Sequence, residues 1–293
     1  FGAEPLKIAA LAAVDAVDWS ILAVSNFNVL FTVTNTAGEV QLWISNGNGD
    51  GLLGGQVGGT AQIEADLGGE AAFVGVFEDR TFFVVDRGAA GQALWSTEGT
   101  SDLTFVVVEE LPGEARSQVV WKGETYFIAG PNLSPMLWKL TDDGAAFVSF
   151  LPVFADNLTA AGDVLAFTAL YVTDLETGDA LYVTDGTVDG LRMVVELSPV
   201  DPGKISGIAM TANGIVFMVQ NDDASLDGFV DYSLWISNGF RDGTYPILSG
   251  NGGTLPFGTS GVDAIRPELL KVVGSVAFYA FDGRIIATDG TAG

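Results

Sequence analysis

The sequence predicts an all-β protein made of repeated antiparallel sheets, and three observations carry that expectation. A ten-residue phrase, LYVTDGTVDG from Leu181, has relatives beginning at Leu42 (LWISNGNGDG), Leu94 (LWSTEGTSDL), Leu137 (LWKLTDDGAA), Leu234 (LWISNGFRDG) and Ile285 (IIATDGTAG). Each copy follows a short apolar run with a Phe: Phe31, Phe83, Phe127, Phe167, Phe217 and Phe278 stand in VLFTV, TFFVV, TYFIA, LAFTA, IVFMV and VAFYA. The third observation is compositional. Gly is abundant at 38 residues, Val, Phe and Thr are frequent, and no stretch develops a helical apolar stripe, including the alanine-rich run at 8–17.

The interval from each Phe to the next phrase varies from 7 to 17 residues, as expected for two paired strands joined by a hairpin loop of variable length. The copies lie 43 to 53 residues apart, a period that fits several strands per unit and points to a propeller rather than a sandwich. The expected architecture is a six-bladed β-propeller of four-stranded antiparallel blades, forming one domain over 1–293. Within each blade the strands run a to d from the channel outward, with the Phe on b, Leu-Trp on c and the Asp-Gly-Thr phrase turning c into d.

Taken in order, the first repeat offers strand a at 19–24, b around VLFTV, c from Leu42 and d at 61–67. The second gives 70–77, 80–86, 92–97 and 105–111; the third gives 117–122, 125–129, 136–140 and 147–153. For the fourth the strands are 158–161, 164–171, 180–184 and 192–197, and for the fifth 205–212, 215–220, 233–237 and 245–248. A Gly, Ser, Thr and Pro-rich connection at 249–262 reads as an exposed loop. The sixth repeat has 269–273, 275–281 and 284–288 but no strand d, whereas 6–12 (LKIAALA) precedes the first repeat. Pairing 6–12 in the last blade closes the ring and leaves no blade incomplete. The given chain begins with Phe1 rather than Met and stops inside a repeat, so both ends read as processed or trimmed.

Within the phrase, Asp or Asn followed by Gly supplies a tight turn with positive φ, and the Asx side chain accepts a backbone bond two residues on. Trp43, Trp95, Trp138, Tyr182 and Trp235 are expected to fill the space between blades, with the strand b Phe on a neighbouring layer. The turn carboxylates Asp50, Asp102, Asp189 and Asp242 then read as turn and surface residues. These residues resemble the bacterial propellers built of the ELWxTDGTxxGT repeat, found in large secreted or surface proteins. The match extends along the chain and is most specific at 180–190 and 285–293. Glu98, Asn46 and Asn238 depart from the Asp, and Thr141-Asp142-Asp143-Gly144 has a displaced turn. The resemblance implies a propeller, an extracellular or cell-surface location and a binding or scaffold role, with no catalytic residues to transfer.

Composition narrows the chemistry. Twelve basic against 37 acidic residues give a formal net charge of −25, which opposes binding to nucleic acid or anionic lipid and favours solubility, including in salty media. No apolar run reaches the roughly 20 residues of a membrane span. The absence of Cys and His removes disulfides, thiolate and imidazole metal sites, and Ser-His or Cys-His nucleophiles. Calcium needs only oxygen ligands, and the longest b to c loop, NDDASLDGFVD, offers Asp222, Asp223, Asp227 and Asp231, without the spacing of an EF-hand.

Paired carboxylates can hydrolyse glycosides without histidine, and Glu70, Asp156 and Glu268 stand near strand a as channel candidates. No arginine cluster accompanies them for an acidic sugar. The sequons at Asn132 and Asn157 read as chance in a bacterial-looking chain. The expected role is a non-catalytic binding or assembly module recognising protein or glycan through propeller-face loops, first of all 221–231. The alternatives are a glycan-processing hydrolase and a structural subunit of an extracellular assembly.

Overall fold

The computed structural model describes residues 16–25, 28–46, 52–53, 56–57, 59–173, 177–197, 203–221, 231–248, 268–281 and 284–291. Their secondary structure is β-strand joined by turns and three short 3-10 turns. The first sheet contains β1 (Ala16–Ser25), β2 (Asn28–Asn35), β3 (Val40–Ser45) and β6 (Thr60–Glu64), with β4 (Leu52–Leu53) and β5 (Gln56–Val57) forming a small ribbon inside the c to d connection. The second comprises β7 (Glu70–Phe77), β8 (Arg80–Asp86), β9 (Gln92–Thr97) and β10 (Thr104–Val108), and the third β11 (Ala115–Trp121), β12 (Glu124–Ala129), β13 (Met136–Thr141) and β14 (Gly144–Phe150). The fourth has β15 (Asp156–Ala161), β16 (Val164–Val172), β17 (Thr177–Thr184) and β18 (Arg192–Glu196), and the fifth β19 (Gly203–Thr211), β20 (Gly214–Asn221), β21 (Asp231–Ser237) and β22 (Thr244–Leu248). The sixth sheet has three described strands, β23 (Glu268–Val273), β24 (Val276–Phe281) and β25 (Arg284–Thr288).

Each sheet is a meander whose spatial order follows chain order, the form of a propeller blade. The expected strands at 70–77, 80–86, 92–97 and 284–288 have the observed limits, and the other bounded strands overlap the observed ones with ends shifted by one to three residues. Strand d of the first sheet ends at Glu64 rather than 67. In the third sheet strand d begins at Gly144 rather than 147, because Asp142-Asp143 reverse the chain in two residues where other copies use the full phrase. The expected strand at 6–12 and the loop at 249–262 lie outside the described residues.

By Cα geometry the chain divides into two compact units. One comprises Phe1–Gln118, Gly123–Pro131 and Trp138–Ala146; the other comprises Val119–Lys122, Asn132–Leu137 and Phe147–Gly293. Every described a to b connection is a two-residue hairpin: Glu78-Asp79, Lys122-Gly123, Gly162-Asp163, Ala212-Asn213 and Gly274-Ser275. Lys122 at φ 53° and Gly123 at φ 82° show the physical type, two consecutive positive-φ residues whose twist matches that of the flanking strands.

The core of each unit forms where sheets face one another. In the first unit, Leu42 and Ile44 of the first sheet meet Phe83, Val85 and Trp95 of the second. Phe82, Val84 and Leu94 on the opposite face of the second sheet meet Phe127, Ala129 and Trp138. The second unit repeats the scheme, with Leu181 and Val183 against Phe217, Val219 and Trp235. The second and fifth sheets thus each have an aromatic face and a leucine face, and the phrase contributes to both, because alternate residues of a strand point to opposite sides.

The aromatic residues share one face rather than occupying neighbouring layers. Phe31, Phe83, Phe167 and Phe217 lie directly opposite Trp43, Trp95, Tyr182 and Trp235 in register. Phe83 stacks on Trp95 at 6.2 Å, Phe167 on Tyr182 at 5.7 Å and Phe217 on Trp235 at 6.2 Å between ring centroids. Cross-strand register explains the difference from expectation, since facing residues in an antiparallel pair project to the same side. Such pairs contribute about 0.5–1.5 kcal/mol each beyond area burial.

Register also corrects the sixth copy. Ile286, at the position of Tyr182 and Trp235, faces Tyr279 and not Phe278. Tyr279 is fully buried, while Phe278 lies one residue away on the other side. The Tyr279 hydroxyl donates to the Gly207 carbonyl at 2.7 Å. Gly207 lies in the β19 bulge with φ 59°, and a Cβ there would stand 2.9 Å from the Tyr279 ring, so a side chain meets both backbone strain and the ring.

Two substitutions read this contact. Tyr279→Phe removes the hydroxyl and should lower unfolding free energy in urea by about 1 kcal/mol, the worth of a buried hydrogen bond whose carbonyl partner is left unsatisfied. Gly207→Ala should cost more than Tyr279→Phe, and a Gly207→Ala protein as stable as the parent would contradict the described packing.

Candidate functional site

The polar groups of the repeated phrase are engaged in building the turn. Asp185 Oδ1 accepts both the Thr187 backbone N–H at 3.0 Å and the Thr187 hydroxyl at 2.6 Å. Thr184 Oγ1 accepts the Gly186 N–H at 3.1 Å. Asp289 and Thr291 repeat the pair at 2.9 and 2.6 Å, and Asn238 accepts the Phe240 N–H at 3.0 Å. These bonds, led by the threonine hydroxyl, hold the Asp185 and Asp289 carboxyls below the usual aspartate range. Asp102, Asp189 and Asp242 are exposed on the same turns, the first and last within 3-10 turns Ser101–Leu103 and Arg241–Gly243. Asp50 lies outside the described residues.

Arginines tie phrases to neighbouring sheets within each unit. Arg192 Nε donates to the Gly239 carbonyl at 2.9 Å while its guanidinium lies 4.5 Å from the Phe240 ring centre. Arg80 donates to the Asp142 carbonyl at 2.6 Å. On the third sheet, Lys139 Nζ donates to Glu124 Oε1 at 2.9 Å and the Tyr126 hydroxyl to Oε2 at 3.0 Å. The lysine hydrogen bond draws the Glu124 carboxyl down, while burial, with Glu124 beside it, pushes the Tyr126 hydroxyl up to about 12.

The b to c ends are closed by Asx residues as well. Asn35 Oδ1 accepts the Ala37 and Glu39 N–H groups at 2.9 and 3.0 Å, and Asp86 Oδ1 accepts the Gly88 N–H at 2.8 Å. Of the expected calcium ligands, Asp222, Asp223 and Asp227 lie outside the described residues. Asp231 opens β21 opposite Asn221, with its side chain also outside the description. Among the described residues no group of three or more acidic side chains is placed to hold a metal.

The three channel candidates each stand first in a strand a: Glu70 opens β7, Asp156 opens β15 and Glu268 opens β23. Glu70 pairs in register with Asp86, and Asp156 Oδ1 accepts the N–H of Asn157, which has φ 56°. The Glu268 side chain is outside the description.

A feature that motif reading missed lies in the first unit. A cleft of about 250 Å³ is lined by Asn28, Thr81, Asp79 and Glu98 over an apolar floor of Leu30 and Ile44. Its sequence signal was Glu98, which stands where other copies carry Asp or Asn. The longer side chain cannot close the Asx turn. The turn keeps the other bonds of the phrase, with Glu98 N–H on the Leu103 carbonyl and Gly99 N–H on Thr97 Oγ1, as Asn238 N–H is on the Gly243 carbonyl and Gly186 N–H on Thr184 Oγ1.

These features define an all-β repeat protein of antiparallel meander sheets, with turns locked by their own side chains. No protein-family model matches the sequence, and no curated protein matches it. Similar solved structures include a protein described as TolB from Agrobacterium tumefaciens, at 8% identity and TM-score 0.39 over 78% of each chain. Another is TolB from Acinetobacter baumannii, at 11% identity and TM-score 0.35, covering 78% of this chain and 52% of that one. Both scores are too low to define a shared fold or function. No helix among the described residues is long and apolar enough to cross a membrane.

The turn chemistry is open to titration. A folded-state pKa below the unfolded aspartate value of about 3.9 stabilises the fold above that pH, and the contribution is lost as pH falls through the lower folded value. Carboxyl NMR should therefore show Asp185 titrating below ordinary aspartate. In Thr187→Val, which keeps the N–H and loses the hydroxyl, its midpoint should move up, and an unmoved midpoint would refute the hydroxyl as the main cause.

Proposed function

We propose that the chain is a single six-bladed β-propeller over 1–293, a member of the ELWxTDGTxxGT-repeat proteins, acting outside the cell or on the bacterial surface as a non-catalytic module that binds protein or glycan. The ring is closed by pairing of 6–12 beside β25. The observation that carries this reading is the consumption of the repeated polar groups. Asp185, Asn238 and Asp289 each commit side-chain Oδ1 to their own turn, which makes the repeat structural and moves recognition to the connections that vary between blades. Of these, 221–231 is the longest b to c connection and the foremost contact loop, with calcium held by Asp222, Asp223, Asp227 and Asp231 as an accessory.

The reading also fits the acidic composition, which disfavours nucleic acid and anionic lipid as partners.

Thermal unfolding with calcium and then with a chelator tests the accessory site: binding to the folded state alone raises the midpoint with calcium concentration. No shift would remove calcium from the proposal. Deleting 1–13 should lower the midpoint sharply if 6–12 completes the last sheet, and an unchanged midpoint would sink closure by that strand. A glycan panel read for both binding and cleavage separates the two functional classes, since turnover lost in Asp156→Asn would replace the binding role with a hydrolytic one.

A further inference from the structure

We infer that the cleft between the first and second sheets is a binding site for a guanidinium group carried on an aliphatic stem. Other copies of the repeat hold such a group from within the chain. Aligned on the Phe of strand b and the Leu of the phrase, the copies correspond position by position. Arg80, three residues before Phe83, donates to the carbonyl of Asp142, the sixth residue of the third phrase, at 2.6 Å, and its guanidinium lies 5.5 Å from the Phe82 ring centre. Arg192 faces Val183, the third residue of the fourth phrase. It donates to the carbonyl of Gly239, the sixth residue of the fifth phrase, at 2.9 Å and lies 4.5 Å from the Phe240 ring centre. Between the fifth and sixth sheets the Asn213 amide donates to the Asp289 carbonyl at 2.9 Å.

The first sheet supplies no such cation to the second. Asn28 stands at the place of Arg80, Ala61, which faces Ile44, at that of Arg192, and the sequence has Phe27 at that of Asn213. Among the described residues no side chain donates to the carbonyl of Gly99, the sixth residue of the second phrase. At this place lies the cleft of about 250 Å³, with Asn28 and Gly99 both in its wall.

The lining matches a guanidinium. Leu30, at the place of Phe82, and Ile44 give an apolar floor for its flat face and stem, and Asp79 and Glu98 bring two carboxylates to its edge. Both arginines within 16–111 are engaged elsewhere, Arg80 with Asp142 at 3.6 Å and Arg87 with Glu109 at 3.5 Å. A guanidinium offers five N–H donors in a planar fork, which serve a carbonyl and carboxylates together where an ammonium acts as a point charge. The volume is below the roughly 300–1,000 Å³ of pockets for drug-sized molecules, the scale of one arginine side chain or a small guanidino compound.

Amide-shift NMR on the full chain tests this at about 0.02 M salt, where exposed charges are least screened. The probes are propylguanidinium and the peptide acetyl-Gly-Arg-Gly-amide, both monocations. The Gly99 and Thr81 amides should shift with a Kd of about 1 mM or tighter. Citrulline in place of arginine, a neutral urea of the same shape, should weaken peptide binding at least about ten-fold. Because Asp79 and Glu98 are exposed, Asp79→Asn and Glu98→Gln should each raise Kd about three-fold, and together about ten-fold. Asn28→Arg, which supplies the cation from within the chain as Arg80 does, should abolish binding. Asp189→Asn, on an exposed turn of the fourth sheet, should leave Kd unchanged and so set the cleft apart from the general acidity of the chain. Tighter binding of the peptide supports an arginine of a partner protein as the occupant, and tighter binding of propylguanidinium supports a free compound. No shift with either probe at about 10 mM, equal binding of the citrulline peptide, or a Kd indifferent to the double carboxylate variant would overturn the proposal. The carboxylate variants keep the test valid if Asn28→Arg fails to fold. No residue of the cleft belongs to 221–231, so its fate is separate from that of the loop as a binding surface.

Discussion

The close approach of one sheet to the preceding one through the phrase glycine, at Gly99 and Gly290, is the constraint on which this packing depends. A Cβ on Gly99 would lie 2.8 Å from Ile44 Cδ1 of the preceding sheet, and one on Gly290 would lie 2.8 Å from Ile236 Cδ1 and 2.7 Å from Thr211 Oγ1. Both isoleucines occupy the third position of the preceding phrase, so the phrase packs on an earlier copy of itself. The glycine therefore meets two demands at once, the positive φ of the turn and the absence of a side chain at the contact.

From that contact the rest of the core follows. With the turn seated on the neighbour's isoleucine, the stacked Phe and Trp pair of one sheet is brought over the leucine face of the preceding one, as Phe83 and Trp95 are over Leu42. The polar atoms of the turn are satisfied locally, the Asx side chain taking the place of a backbone acceptor two residues on. Asp185 with Thr187, and Asp289 with Thr291, do this with two bonds to one carboxylate oxygen. Conserving such a unit through the chain leaves little freedom for chemistry within it, which is the physical reason for seeking recognition in loops and in the Glu98 cleft.

Much of the fold was legible because its signals are local. The Phe run, the Leu-Trp pair and the Asx-Gly turn lie within about twenty residues of one another, and β7, β8 and β9 have the expected limits. The readings that changed were those requiring register between strands. Phe278 matched the other copies by eye, yet Tyr279 occupies the aromatic position, since a one-residue offset in the b to c pairing reverses every side chain. The displaced turn at Asp142-Asp143 was visible as a departure, but that it shortens the whole connection and advances β14 was not. Glu98 was likewise visible as a substitution, whereas the cleft it lines requires the first and second sheets side by side.

By itself the sequence determined that the chain is β-structured, roughly where most strands lie, which turns need glycine, and that histidine and thiol chemistry have no residues to carry them. Those properties follow from composition, period and nearest-neighbour turn geometry. Tertiary structure decided which face each aromatic occupies, which glycines stand against a neighbouring sheet, and which carboxylates are absorbed by their own turns. These depend on atoms brought together from residues tens of positions apart, as Gly207 and Tyr279 are, and no local pattern specifies that meeting.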